Sequence, residues 1–413
     1  MLTIRKFILG KQHIIFPVLD VALNGVNYLF HIYVSWYLSQ GDYGILNSLL
    51  SLSAILLVTG ISFQIYTART VARFGQSDRR VAQVLRLGNL FALVISIGLL
   101  VSSPALMSLT RSGFLSLIIV ASTFAINVYL SIFRGFFQGK KEFLSLNVSF
   151  YIEVLSKVFF LYFLLRYFRS IELVLISIIF GMGLSLCHAL YKNRAIIMAL
   201  GRSVRESLKP FIRQIAAIFA ANFFLYFFTS VDMIAVNFFL PDVSGVFAVV
   251  LRYSQIILFV AFSVMTVFIP VLSSSRNDYK AFSRHLKLML VLFGLMGILA
   301  VIGYRWILPP TVDLFFDSQY SGASQYLLLG AIAYIFLVFS FLIVNIFIVL
   351  ERTRHLRYLA GSGTALLILF LVFHDSISTI FIIEAIVYLG LFLVLIVDFA
   401  IHRGDKSETG EVR

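Results

Sequence analysis

Asp20, Asn24, Asn27 and His31 follow one another at steps of four, three and four, which sets them along one face of a helix inside an otherwise apolar run. The same spacing joins Thr123, Asn127, Ser131 and Arg134, then Ser145, Ser149, Glu153 and Ser156, with Lys157 one turn after Glu153 in the favourable acid-before-base order. Two later stripes are Asn222, Tyr226, Thr229 and Asp232, and Arg252, Gln255, Ser263 and Thr266. Side chains of these types bind anions and exchange ions. The Arg252 guanidinium matches phosphate oxygens by paired hydrogen bonds, and no acidic residue stands near it in its own segment. Arg134 and Lys157 add positive charge, and the amides of Asn24, Asn27, Asn127 and Gln255 complete a candidate substrate-binding set. Asp20, His31, Asp232 and Glu153 form a candidate ion-coupling set, with histidine titrating near neutrality.

Each group also has a structural reading. Asn, Ser and Thr in apolar helices hydrogen-bond between helices as well as to ligands. Glu153 and Lys157 read equally as a neutralised pair, and Arg134 and Asp20 stand close enough to segment ends to snorkel to the surface.

Composition dictates the elements that position these groups. Of 413 residues, 60% are hydrophobic and 13% charged, about half the charge of a soluble domain, so the solvent is mostly lipid. The net charge of +14 is spread in short runs between apolar segments, a topogenic pattern and not a nucleic-acid footprint. With one cysteine, Cys187, no intramolecular disulfide forms, and no Cys/His cluster has metal-ligand spacing. No phosphate-binding glycine loop is present, so neither nucleotide nor other cofactor is expected.

A bilayer core about 30 Å thick needs about 20 apolar residues per helix. Twelve such stretches are found, at 14–38, 44–67, 87–109, 114–133, 144–165, 171–190, 214–236, 245–270, 288–308, 326–350, 358–374 and 377–400. With the N-terminus inside, 27 Lys and Arg fall in the inner segments, while only Arg111, Arg166, Arg169 and Arg305 fall outside, so both termini are expected in the cytoplasm. No small-residue cleavage site closes the first stretch, which is expected to be retained as a signal anchor. The expected division is an N-terminal six-helix lobe, 1–190, a basic cytoplasmic linker, 191–213, a C-terminal six-helix lobe, 214–401, and a polar tail, 402–413.

A shift of 201 residues brings Gly44 onto Gly245 and Leu85-Arg86-Leu87 onto Leu286-Lys287-Leu288, and sets His31 on Asp232. An even number of helices per half makes the repeats parallel, with a substrate cavity expected between lobes that rock to give alternating access. Weaker polar stripes in spans 3, 6, 9 and 12 assign those helices to an outer, lipid-facing set.

Four segments carry a family resemblance: YLSQGDYGIL at Tyr37–Leu46, RGFFQGKKEF at Arg134–Phe143, VDMIAVNFFLPDVSGVFAVV at Val231–Val250 and FIPVLSSS at Phe268–Ser275. In order and topology they resemble the multidrug/oligosaccharidyl-lipid/polysaccharide exporter superfamily, and within it the Wzx-type polysaccharide flippases. The resemblance implies an all-α polytopic fold and no enzymatic activity. It also implies transfer of isoprenoid-diphosphate-linked oligosaccharide across a bacterial plasma membrane, with membrane lipids and polysaccharide polymerase or other biosynthetic proteins as partners. Related flippases of lipid-linked peptidoglycan precursors place cations in a central cavity, which Arg252 matches, although span 1 here carries Asp20 and no arginine. A multidrug cation antiporter calls for an acidic cavity, against Arg252, Lys157 and Arg134, and a membrane polymerase or ligase calls for a catalytic outer loop, against a 309–325 loop without Lys, Arg or His.

Overall fold

The computed structural model describes residues 12–75, 79–194, 209–275, 278–350 and 352–402, and among these no strand occurs. The helices are α1 Gln12–Ser35, α2 Gln40–Phe74, α3 Arg79–Val101, α4 Ser103–Thr110, α5 Phe114–Gly139, α6 Phe143–Leu164, α7 Ile171–Lys192 and α8 Lys209–Phe228. They continue as α9 Val231–Phe239, α10 Ser244–Ser274, α11 Tyr279–Ile302, α12 Pro309–Phe315, α13 Leu327–Val349, α14 His355–Val372 and α15 Ile377–Ile401. Among the described residues eleven helical stretches are long and apolar enough to cross a membrane, and α1 occupies the place of the remaining expected span. The fold is all-α, with twelve spans in two sets of six.

Local sequence sets the helix ends. Ser39, Ser170 and Ser376 accept the N–H groups of Asp42, Leu173 and Thr379 as N-caps of α2, α7 and α15, and Asp278 caps α11 in the same way. The expected spans differ from the helices at three points. The third breaks after Val101, and α4 restarts with Pro104 in its first turn. The seventh breaks at Thr229 and Ser230, and the ninth ends in a π turn, Gly303–Ile307, before α12. The loop expected at 309–325 is therefore largely α12 and a 3-10 segment, Ser318–Tyr326.

The chain forms two compact units, Met1–Tyr226 and Phe227–Arg413. The linker expected at 191–213 lies mostly outside the described residues, as does the 402–413 tail beyond His402.

In the first unit α5 is the central helix, packed on α2, α3 and α7. Its core joins Phe63 of α2, Val84 of α3, Phe124, Val128, Phe136 and Phe137 of α5, and Met182 of α7. Close approach of α5 to α2 depends on Gly135 and Gly139. A Cβ on Gly135 would lie 2.6 Å from the Gln64 carbonyl oxygen, and one on Gly139 would lie 2.7 Å from that of Ala68. Gly135→Ala is expected to cost about 1–3 kcal/mol by overpacking. A lower unfolding midpoint of the purified protein in detergent checks this, and an unchanged midpoint contradicts it.

In the second unit α13 packs between α10 and α15. Gly330 lies so close to Ser254 that an added Cβ would be 2.5 Å from its hydroxyl oxygen. Burial differs widely among the helices. The α5 and α13 spans are 61% and 67% buried, against 22% for both the third and the ninth, which present Leu93, Val94, Leu295 and Leu299 outward. Spans 6 and 12 differ from the expected outer set. Both α7, 39% buried, and α15, 44% buried, exceed the 22% of α6, and their buried residues include Ser177 and Ser185 of α7 and Glu384 and Asp398 of α15.

Candidate functional site

The break in the seventh span builds the site of the second unit. It leaves the Phe228 carbonyl outside a continuing helix, and the Tyr388 hydroxyl on α15 donates to it at 2.9 Å. It also places Asp232 in the first turn of α9, where Oδ1 accepts the Met233 N–H at 2.7 Å and the carboxylate meets the positive end of the helix dipole. Asp232 is wholly buried.

Glu384 on α15 is wholly buried as well, and its carboxyl group neighbours that of Asp232. Asp232 Oδ2 and Glu384 Oε2 have no donor from elsewhere among the described residues. Two neighbouring buried carboxyl groups repel when both are charged, and a proton or a cation taken up between them would relieve that repulsion. The Tyr388 hydroxyl stands 3.5 Å from Glu384 Oε1, one turn along α15.

Arg252 and Gln255 reach the same region from α10. The Arg252 Nη1 donates to Gln255 Oε1 at 2.9 Å, which fixes the guanidinium across one turn. Buried Tyr334 on α13 connects the parts, since Asp232, Glu384, Arg252 and Gln255 are all its electrostatic neighbours. The second unit thus gathers one guanidinium, two carboxyls, an amide and two phenols inside an apolar bundle. Such groups are expensive in lipid and gather where a function uses them.

The candidates of the first unit are placed differently. Arg134 is buried among α5, α6 and α7: its Nε donates to Ser149 Oγ at 3.0 Å, and Nη2 donates to Glu153 Oε2 at 2.6 Å, to the Ser149 carbonyl at 3.1 Å and to Ser185 Oγ at 3.1 Å. The Phe150 ring covers the guanidinium, 3.9 Å from its centroid. Arg134 therefore does not snorkel; it ties three helices together, and its acid is Glu153.

Lys157 donates to Asn27 Oδ1 of α1 at 2.7 Å and sits over the Phe30 ring, 4.3 Å from its centroid. His31 meets the edge of the same Phe30 ring. Asn127 packs against α2 at Gly60, where an added Cβ would be 1.9 Å from its Oδ1. Asp20 and Asn24 lie on α1, with side-chain surroundings outside the described residues.

Of the residues singled out by spacing, the fold brings together Arg252, Gln255 and Asp232 in the second unit, and in the first it joins Asn27 to Lys157 and Arg134 to Glu153. Glu384, Tyr388 and Tyr334 were absent from the expected site. The available signal was an acidic residue at Glu384 in the middle of a strongly apolar span, followed one turn later by a tyrosine.

The fold is that of transporters. An inward-facing multidrug resistance MATE family transporter of the MOP superfamily aligns at TM-score 0.75 with 11% identity, covering 92% of this chain and 94% of that one. The lipid II flippase MurJ in an inward closed conformation aligns at TM-score 0.70 with 16% identity, covering 94% and 87%. A MOP superfamily transporter from Pyrococcus furiosus, described by the reverse polarity of its binding pocket, aligns at TM-score 0.53 with 12% identity, covering 94% and 95%. No curated protein matches the chain.

These twelve spans in two sets of six, with ionisable groups turned inward, make a multi-pass membrane protein whose fold is similar to that of the MOP superfamily transporters just named. A family model described as polysaccharide biosynthesis protein matches residues 9–276, and the chain belongs to that family.

Proposed function

We propose that the protein flips an isoprenoid-diphosphate-linked oligosaccharide from the inner to the outer leaflet of a bacterial plasma membrane by alternating access, with both termini cytoplasmic. The observation that carries this reading is Arg252, a half-buried guanidinium steadied by Gln255 and set beside the Asp232 and Glu384 carboxyls. A lipid diphosphate needs fixed positive charge inside a membrane, and a guanidinium supplies it with directed hydrogen bonds. Lys157 with Asn27 offers a second polar point for the glycan or diphosphate in the first unit. The carboxyl pair would couple the cycle to a proton or sodium gradient, because its charge state changes when an ion is taken up. A polymerase that consumes the flipped repeat unit is the expected partner.

The test is deletion of the gene in its host, followed by complementation with wild type or with Arg252→Gln. Deletion should cause isoprenoid-linked oligosaccharide to accumulate and surface polymer to disappear, with drug tolerance unchanged. Loss of a charge-assisted hydrogen bond worth about 2 kcal/mol predicts transport roughly 30-fold slower for Arg252→Gln at equal expression. Unchanged glycolipids with heightened sensitivity to cationic dyes would replace this reading by drug export, and full complementation by Arg252→Gln would remove the diphosphate role.

A further inference from the structure

On the face expected to lie opposite the basic loops, the end of α1 and the end of α6 carry an aromatic cluster centred on Tyr33. Its ring lies 5.0 Å from that of Tyr37, 6.2 Å from Trp36 and 6.0 Å from Tyr162. The Tyr33 hydroxyl also donates to the Tyr162 carbonyl at 3.2 Å. Two arginines converge on these rings. Arg166 donates from Nη2 to the Tyr162 hydroxyl at 3.0 Å, with its guanidinium 4.6 Å from that ring centroid, and the Tyr33 and Tyr37 hydroxyls are its other neighbours. Arg169 lies over Tyr37 at 5.8 Å.

Directly below, Tyr162 is also part of an open apolar groove of about 680 Å³ between α6 and α7, lined with Leu155, Phe159, Phe180 and Leu184. Polar head and apolar groove therefore share one residue and form a continuous surface.

An ordinary interfacial belt spreads Trp and Tyr around the perimeter of a membrane protein. Here the rings gather at one helix pair and hold both guanidiniums in place, and only Arg111, Arg166, Arg169 and Arg305 are expected on this face. The charge selects the occupant. Two exposed guanidiniums on one aromatic cluster match a diphosphate, which offers two charged phosphoryl groups, better than the single phosphodiester of a bulk phospholipid.

We infer that this surface docks the lipid-linked diphosphate on the side to which it is delivered, with Arg166 and Arg169 on the diphosphate and the polyprenyl chain laid along the α6–α7 groove. The inference rests on the flippase reading and adds to it a holding site outside the path of translocation. Such a site keeps the flipped lipid at the protein, where a polymerase can collect it, and lowers its return to the transport site.

The experiment uses the full chain in detergent and native mass spectrometry, with a long-chain polyprenyl diphosphate and phosphatidylglycerol as separate probes. Working in Arg252→Gln removes the internal guanidinium. That protein should still retain one polyprenyl diphosphate, and adding Arg166→Gln with Arg169→Gln should weaken retention by at least about tenfold. Phe159→Asn, which puts a polar group in the groove, should weaken it while leaving both arginines in place. Phosphatidylglycerol should be held weakly and be insensitive to all three changes. Undiminished retention in the triple variant, or equal loss of both lipids, would overturn the inference. Neither result bears on complementation by Arg252→Gln, so failure of the docking site and failure of the flippase reading are told apart.

Discussion

Arg134→Leu is expected to destabilise the protein by about 3 kcal/mol, the low end of the range for breaking one side of a buried ion pair. The Arg134 side chain is 6% exposed and that of Glu153 is 24% exposed, so water reaches the acid in part and moderates the penalty. Besides Glu153, the guanidinium serves Ser149 and Ser185, and the two hydroxyls stand 2.7 Å from each other. Removing it leaves a carboxylate and two serines between three helices with fewer donors than acceptors. Adding Glu153→Leu should restore much of the loss, because the apolar pair no longer strands a charge. Denaturant or thermal unfolding in detergent of the two single variants and the double completes the cycle. Additive losses would show that the two side chains act independently, against the ion pair described here.

Arg134 also shows where sequence reading stops. Helical spacing placed it on a face with Asn127 and Ser131, and its nearness to a segment end suggested an interfacial cation. Periodicity gives the face and cannot give the partner on another helix, which here is Glu153, nineteen residues on. Likewise Glu153 and Lys157, one turn apart, turn to different partners, Arg134 and Asn27. The spans were legible because a bilayer sets both their length and their apolarity, and each expected span has its helix. The break before Val231 was not legible, since Thr229 and Ser230 fit a helix stripe as well as an interruption. That break is what turns Asp232 toward Glu384. Arg252 stood out as a lone charge within an apolar run, whereas Glu384 was hidden because the rest of its helix shows so weak a polar stripe.

Glu384→Gln is expected to leave the protein folded and to abolish the dependence of transport on its driving gradient, with gradient-driven flux falling at least about tenfold. The glutamine amide is the same size as the acid and donates a hydrogen bond to Asp232 permanently, so the pair no longer gains and loses an ion. Asp232→Asn should do the same from the other side while keeping an oxygen for the Met233 N–H, which Asp232→Ala would leave without its acceptor. Because the two carboxyls act as one site, the double variant should be no slower than either single.

Reconstituted vesicles loaded with a lipid-linked probe, with the pH and sodium gradients varied one at a time, give the measurement. Wild type should respond to one gradient, and the ion that produces the response is the one the pair exchanges. Linkage requires the reverse effect too: if ion uptake favours one conformation and so changes substrate affinity at the proposed Arg252 site, substrate binding there must change the affinity of the pair for that ion by the same factor. A Glu384→Gln protein that still responded fully to the gradient would place the coupling elsewhere, and the carboxyl pair would then be a fixed tie between α9 and α15.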